Sequence, residues 1–247
     1  MALDLNNVVA PYQEFYGRVV GTMPNLVDGR VPASVSDVMA QRLHSGKQDW
    51  KDNYFFVGDA IAYHPDGKFK IVLDSESLRG LNSQSTLSFG ALVLEDGAYE
   101  TLKGVEFKRN ELSSQLNIDL TADEAKVHPV WKVVARDQDL LNAYIDTMYP
   151  EMKQRFGQGN TNYDNNMGFY VEDGEKRPTL RALVVRRLGS RSQLYGRYDL
   201  DGDYGRLVGV APEALSAPNK AIVRPSLETA LAVVNQNLSK SGLKLTR

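Results

Sequence analysis

The stretch His64-Pro65-Asp66-Gly67-Lys68 constrains this chain more than any other part of it. It stands between two β-prone runs, residues 54–63 and 69–73. Pro followed by Asp-Gly supplies the dihedral angles of a tight reversal, so the two runs are expected to pair as an antiparallel hairpin. Residues 87–94 and 99–108 flank a second turn of the same kind, Glu95-Asp96-Gly97-Ala98. Four more runs, 167–171, 180–188, 194–200 and 204–210, read as strands.

Helical periodicity marks the rest. Leu5, Val8, Val9, Tyr12, Tyr16, Val19, Val20 and Met23 make one stripe, which Pro11 either interrupts or begins. Ser34, with Asp37 three residues on, caps a helix that carries Val35, Val38, Met39 and Leu43 and should stop near Gly46. Thr121 and Glu124 form a capping box. Leu141, Tyr144, Ile145, Met148, Met152 and Phe156 make the clearest stripe, with Pro150 expected to kink or split it after Tyr149. Ser226 caps a last helix that Gly242 ends. Residues 157–166, rich in Gly and Asn, read as a mobile loop. The expected class is therefore α+β: antiparallel hairpin and meander sheets packed with amphipathic helices.

The two β regions resemble one another. Residues 89–105 can be laid over 195–210 with one gap at Glu95, so that Gly, Leu, Asp-Gly, Tyr, Leu, Gly and Val coincide. This suggests an internal duplication dividing the chain into 1–120 and 121–247, two β-rich halves able to pack as one domain. Convergence of two tight Asp-Gly hairpins is the competing explanation.

Composition excludes several classes. With 42% hydrophobic and 24% charged residues the chain is globular rather than disordered. No cysteine is present, so disulfides, thiolate metal sites and a cysteine nucleophile are excluded. No run approaches the roughly 18 apolar residues of a membrane span, and no membrane partner is expected. The residues 1–5 lack the basic and apolar regions of a signal peptide, which makes the cytoplasm the expected compartment.

Motifs with possible chemistry are few. Glu106-Phe107-Lys108 ends a strand with Glu106 and Lys108 on one face, and Asp74 ends an earlier one. An Asp with Glu-x-Lys could hold Mg²⁺ and orient a water, as in a restriction-like nuclease. Gly189-Ser190 with Asp199 and Asp201 resembles a nucleotidyltransferase pattern, but the spacing is short and a third acid is missing. Asp199, Asp201 and Asp203 echo the start of a calcium loop. Tyr204 and Val210 stand where an EF-hand needs Gly and Glu, which leaves at most a looser calcium site. His44, His64 and His128 have no ligand spacing and read as polar surface residues.

Charge is uneven. Residues 176–206 hold eight basic side chains against three acidic ones, +5, which leaves −7 for the remainder of a chain whose net charge is −2. Arg181, Arg186, Arg187, Arg191 and Arg197 are the candidate binding residues. Their expected partners are the acidic half, a second copy of the chain or another protein. Interleaved with Tyr195, Tyr198 and Tyr204, the strip could also bind nucleic acid phosphates. The leading reading is a non-enzymatic binding or assembly protein without cofactor, of the kind found among viral structural or accessory components. The alternative is the Mg²⁺-dependent nuclease through Asp74, Glu106 and Lys108.

Overall fold

The computed structural model describes residues 12–157, 163–173, 176–189 and 192–211. In chain order the strands are β1 (Tyr12–Gly17), β2 (Val31–Pro32), β3 (Phe55–Tyr63), β4 (Lys68–Val72), β5 (Leu87–Ser88), β6 (Ala91–Val93), β7 (Val105–Lys108), β8 (Phe169–Tyr170), β9 (Thr179–Val185), β10 (Leu194–Tyr195) and β11 (Gly205–Val210). The helices are α1 (Val19–Thr22), α2 (Val35–His44), α3 (Gln48–Asp52), α4 (Glu76–Arg79), α5 (Ala98–Thr101), α6 (Ala122–Val127), α7 (Pro129–Ala135) and α8 (Gln138–Phe156).

All eleven strands join one open sheet whose main path is β1-β11-β3-β9-β10-β8. β3 and β9 are its spine, antiparallel and buried along their whole length. Each spine strand shares its outer edge between two neighbours. β11 lies parallel to the start of β3, and β4 antiparallel to its end. On β9, β10 takes one end and β6 the other. Strands from the first 120 residues and from the remainder therefore interleave in the same sheet.

The split along β3 has a local cause. The ladder to β9 slips between Phe56 and Ala60. There Gly58 passes so close to Pro32 that a Cβ would lie 2.7 Å from its Cγ. The Gly58 N–H donates to Ala33, and its carbonyl accepts from Ser75, so the backbone groups at the slip stay paired with loops. The next residue, Asp59, accepts the Val35 N–H at 2.8 Å and so receives the first turn of α2.

Hydrophobic side chains close both faces of the sheet. On one face α2, α7 and α8 bury Val38, Met39, Trp131, Val134, Tyr144, Ile145 and Met148 against Phe55, Ile61, Phe69 and Phe169. On the other, α1, α4, α5 and loops cover Phe56, Ala60, Ala62, Leu180, Ala182 and Val184 with Val19, Met23, Leu78, Leu81 and Tyr99. The alternation Val184 one way and Val185 the other is the period-two pattern of a strand buried on both sides.

Much of the expected structure is present. The hairpin at 64–68 forms between β3 and β4. Ser34 and Thr121 both make complete capping boxes, with Asp37 and Glu124 as partners. Other expectations need correction. Residues 12–17 are a strand and not a helix; their aromatic residues pair along β11, while 1–11 lie outside the described residues. Pro150 does not split α8, since Tyr149 and Met152 on either side of it stay buried in the core. Leu87–Leu94 is two strands, not one, because Phe89-Gly90 makes its own two-residue turn. Asp96-Gly97 opens α5, and β7 pairs with β4. The last four strands are no meander: β8 is parallel to β10, and β11 leaves them to join β1 and β3. The windows 89–105 and 195–210 are thus not equivalent strand pairs, and the pairing gives the duplication no support. Of the expected loop 157–166, Tyr163 and Asn166 are buried anchors. The expected last helix lies outside the described residues.

Candidate functional site

Asp74, Glu106 and Lys108 do not converge. Glu106 stands opposite Lys70 on β4, and Asp74 lies four residues further along, about 13 Å at the rise of a strand. Asp74 borders a groove of about 440 Å³ with Glu76, Arg79 and Leu102. Lys108 borders another of about 500 Å³, at the opposite end of the strand pair, with Asp66, Lys68 and Arg109. Two of the three have other partners. Asp74 pairs with Arg136 at 2.7 Å, and Lys108 with Glu111 at 2.9 Å.

Asp74 belongs instead to a buried charge cluster. Arg136, at the left-handed end of α7, gives Nη1 to Asp74 and Nη2 to Asp59, the latter at 2.6 Å. Burial pushes the Asp59 carboxyl up against the pull of Arg136. The Asp74 and Val35 N–H groups complete its coordination, so the cluster joins α7, the end of β4 and the start of α2.

Among the described residues Asp199, Asp201 and Asp203 form no cation cage. Asp199 pairs with Arg181 and Asp203 accepts the Asp199 N–H, while Asp201 is exposed. Among the described residues no group of three or more His, Asp or Glu could hold a metal ion. Of the histidines, His44 is exposed and His64 half-buried beside Asp66, but His128 is buried under α7 against Phe169, contrary to expectation.

The five candidate arginines separate. Arg181 is buried and locks two loops together. Arg187 is exposed, and its charge reaches Asp52 on the helix side of the sheet. Arg191 lies outside the described residues. Arg186 and Arg197 meet: each guanidinium stands 5.0 Å from the centre of the Tyr195 ring. Arg206 of the same strip is paired with Glu14 and Asn53.

Around Tyr195 the structure builds an ordered surface. Tyr170 on β8 stacks on it at 4.9 Å with rings 7° from parallel, and Arg197 also lies 5.3 Å over Tyr170. Tyr198 meets Tyr195 edge-on at 5.6 Å and Phe56 at 6.4 Å. Polar bonds fix the stack from behind. The Tyr195 hydroxyl donates to Gln193 Oε1 at 2.8 Å, and Arg186 Nη1 donates to the same oxygen at 3.2 Å. Gln193 Nε2 and the Tyr170 hydroxyl both donate to Asp119 Oδ1. The Arg186 carbonyl is held by the buried Arg42 at 2.7 Å, and the Gly196 carbonyl by the Tyr63 hydroxyl at 2.8 Å. Burial raises the Tyr198 hydroxyl above its ordinary value, against the pull of Arg186.

Arg186 donates to neutral oxygens, and among the described residues Arg197 has no carboxylate partner. Arg186 and Arg197 came from the charge count and Tyr195 and Tyr198 from their place among the arginines. Tyr170, Gln193 and Asp119 had no signal, because a parallel pairing between distant segments brings them in.

Comparison with known proteins bears on the fold. No family model matches the chain, and no curated protein does. Among solved structures it is similar to a protein from a study of the accommodation of massive sequence variation in Nanoarchaeota by the C-type lectin fold. The two share 18% identity with a TM-score of 0.58, over 81% of this chain and 97% of that one. The likeness is one of fold: an α+β chain similar to a protein with the C-type lectin fold. Among the described residues no helix is long and apolar enough to cross a membrane.

Proposed function

We propose that this is a non-enzymatic binding protein whose recognition surface is the tyrosine–arginine platform of β8, β9 and β10. The observation that carries the reading is the pair Arg186 and Arg197 set on the locked Tyr195 ring, with no carboxylate in an ion pair with either among the described residues. Tyrosine and arginine are enriched among the residues that dominate interface energetics: tyrosine presents a large contact area with little conformational freedom to lose, and arginine a fork of donors. Here the rings and one guanidinium are already immobilised, which lowers the cost of binding. The complement is a partner surface bearing Asp or Glu, which the guanidinium fork grips bidentately.

A nucleic acid fits less well. Tyr170 and Tyr195 cover one another's inner faces and Arg197 stands close to both rings, which leaves less ring surface on which a base could stack. The solved neighbour, in which the C-type lectin fold accommodates massive sequence variation, is in keeping with a frame that stands while side chains differ.

Titration of the full chain with poly-L-glutamate and with single-stranded DNA of equal charge, followed by fluorescence, tests the reading. Poly-L-glutamate should bind at low salt, weaken as screening rises, and bind Arg186→Ser/Arg197→Ser at least about ten-fold less well. DNA incubated with the protein and Mg²⁺ should remain intact. Equal binding by the double variant, or Mg²⁺-dependent cleavage abolished by Glu106→Gln, would overturn it.

A further inference from the structure

Asp119 lies at the base of the platform, on a loop held from both sides. Two residues before it, Asn117 has a left-handed backbone, φ 58°, a conformation that asparagine tolerates. Its N–H donates to the Phe169 carbonyl at 2.9 Å, and its Oδ1 accepts the Val171 N–H at 2.9 Å, so it clasps β8 at both ends. One residue after Asp119, the Leu120 carbonyl accepts the Tyr149 hydroxyl of α8 and the Asn166 N–H, each at 2.7 Å. Gly168 makes the room. A Cβ there would stand 2.2 Å from the Ile118 carbonyl oxygen and 3.0 Å from Asp119 Oδ1.

The half-buried carboxylate presented in this way constrains its neighbours. A carboxylate only accepts hydrogen bonds, so the Gln193 amide must turn Nε2 towards Asp119. Gln193 is fully buried, and its Oε1 is left facing the Tyr195 hydroxyl and Arg186 Nη1. A guanidinium only donates, and it demands the same orientation from the other side. The Tyr195 proton goes to Gln193, and the Tyr195 oxygen accepts from Arg186 Nη1 at 3.2 Å. One order of polarity thus runs from Asp119 through Gln193 and Tyr195 to Arg186. At its end, Arg186 Nε and Nη2 make no hydrogen bond to another described residue.

We propose that Asp119 is a positioning residue for recognition: acting through Gln193, it holds Arg186 in the pose in which only donors face the carboxylates of a protein partner. This rests on the reading of the tyrosine–arginine platform as the recognition surface. The charge of Asp119 works the other way, since a carboxylate near the platform repels an acidic partner. The two effects have opposite signs, which makes them separable.

The test is a double-mutant cycle on the full chain, read by titration with poly-L-glutamate at low salt. Loss of charge alone would make Asp119→Leu bind more tightly. Release of Gln193 should instead make it bind at least about five-fold more weakly, while in an Arg186→Ser background the same substitution should cause no loss. Asp119→Asn, which keeps an oxygen where Oδ1 stands, should retain most of the affinity. Should Asp119→Leu fail to fold, Asp119→Asn/Gln193→Glu decides, because it reverses the polarity and keeps every bond paired. It should melt close to the wild type and bind at least about ten-fold more weakly than Asp119→Asn, since the new carboxylate takes Arg186 for itself. Asp119→Leu binding as well as the wild type or better, or the reversed pair binding like Asp119→Asn, would overturn the proposal and leave the platform standing. Equal weakening by Asp119→Leu in both backgrounds would assign Asp119 to mere support of the ring stack and overturn it too. A wild-type chain that does not bind poly-L-glutamate would sink both readings.

Discussion

Arg136 and Asp59 are two fully buried charges that hold three elements together, and removing one of them strands the other. In Arg136→Met the Asp59 carboxylate keeps its backbone donors but loses its counter-charge, with Asp74 still nearby. The expected loss is about 3–5 kcal/mol of unfolding free energy, read by urea denaturation. Adding Asp59→Asn should restore part of it, because the orphaned charge disappears; a double variant no more stable than Arg136→Met would refute this. His128 gives a second test. Burial lowers its pKa from the ordinary 6.5 to about 4, with the Gln115 backbone opposing weakly. Neither ring nitrogen has a hydrogen-bond partner of normal geometry. The unfolded chain therefore takes up the proton first. Its contribution is fully present above about pH 6.5 and is lost as pH falls toward 4, by at most about 1.4 kcal/mol per pH unit. His128→Leu should flatten the stability curve in that window, and an unchanged slope would show that His128 is not the cause.

Among the elements, those whose signals are local could be read from the residues in advance. The β3–β4 hairpin follows from Pro65-Asp66-Gly67, and α2 and α6 from their capping boxes. Ser34→Ala should cost about 1 kcal/mol in thermal or urea unfolding, since the Asp37 N–H loses its acceptor at the helix start; no change would mean that the box carries no stability. The misread elements depend on pairing between distant segments. Tyr12–Gly17 carries a stripe that fits a helix as well as a strand, and β11, nearly 200 residues later, decides the matter. Asp96-Gly97 looks like Asp66-Gly67, but β7 finds β4 rather than β6, so the same dipeptide opens a helix instead of a hairpin. Phe89-Gly90 is the turn that residue preference hides, because Phe is a poor occupant of its first position. For the same reason the candidate site was half visible: Arg186, Arg197, Tyr195 and Tyr198 stood out by charge and spacing. Tyr170 and Asp119 arrive by tertiary structure alone.

At the scale of the whole molecule, β3 and β9 form a stiff spine, buried on both faces, with other strands divided along their edges. The sheet places β10 and β8 at one end, beside the spine strand β9, and fixes their tyrosines and arginines before any partner arrives, so binding should move side chains little. The most direct measurement is the NMR spectrum of the tyrosine rings during titration with poly-L-glutamate. The platform reading predicts that the ring signals of Tyr170, Tyr195 and Tyr198 shift, while those of Tyr144 and Tyr149 in the helix-side core stay in place. Shifts confined to other tyrosines, or none at saturation, would contradict it.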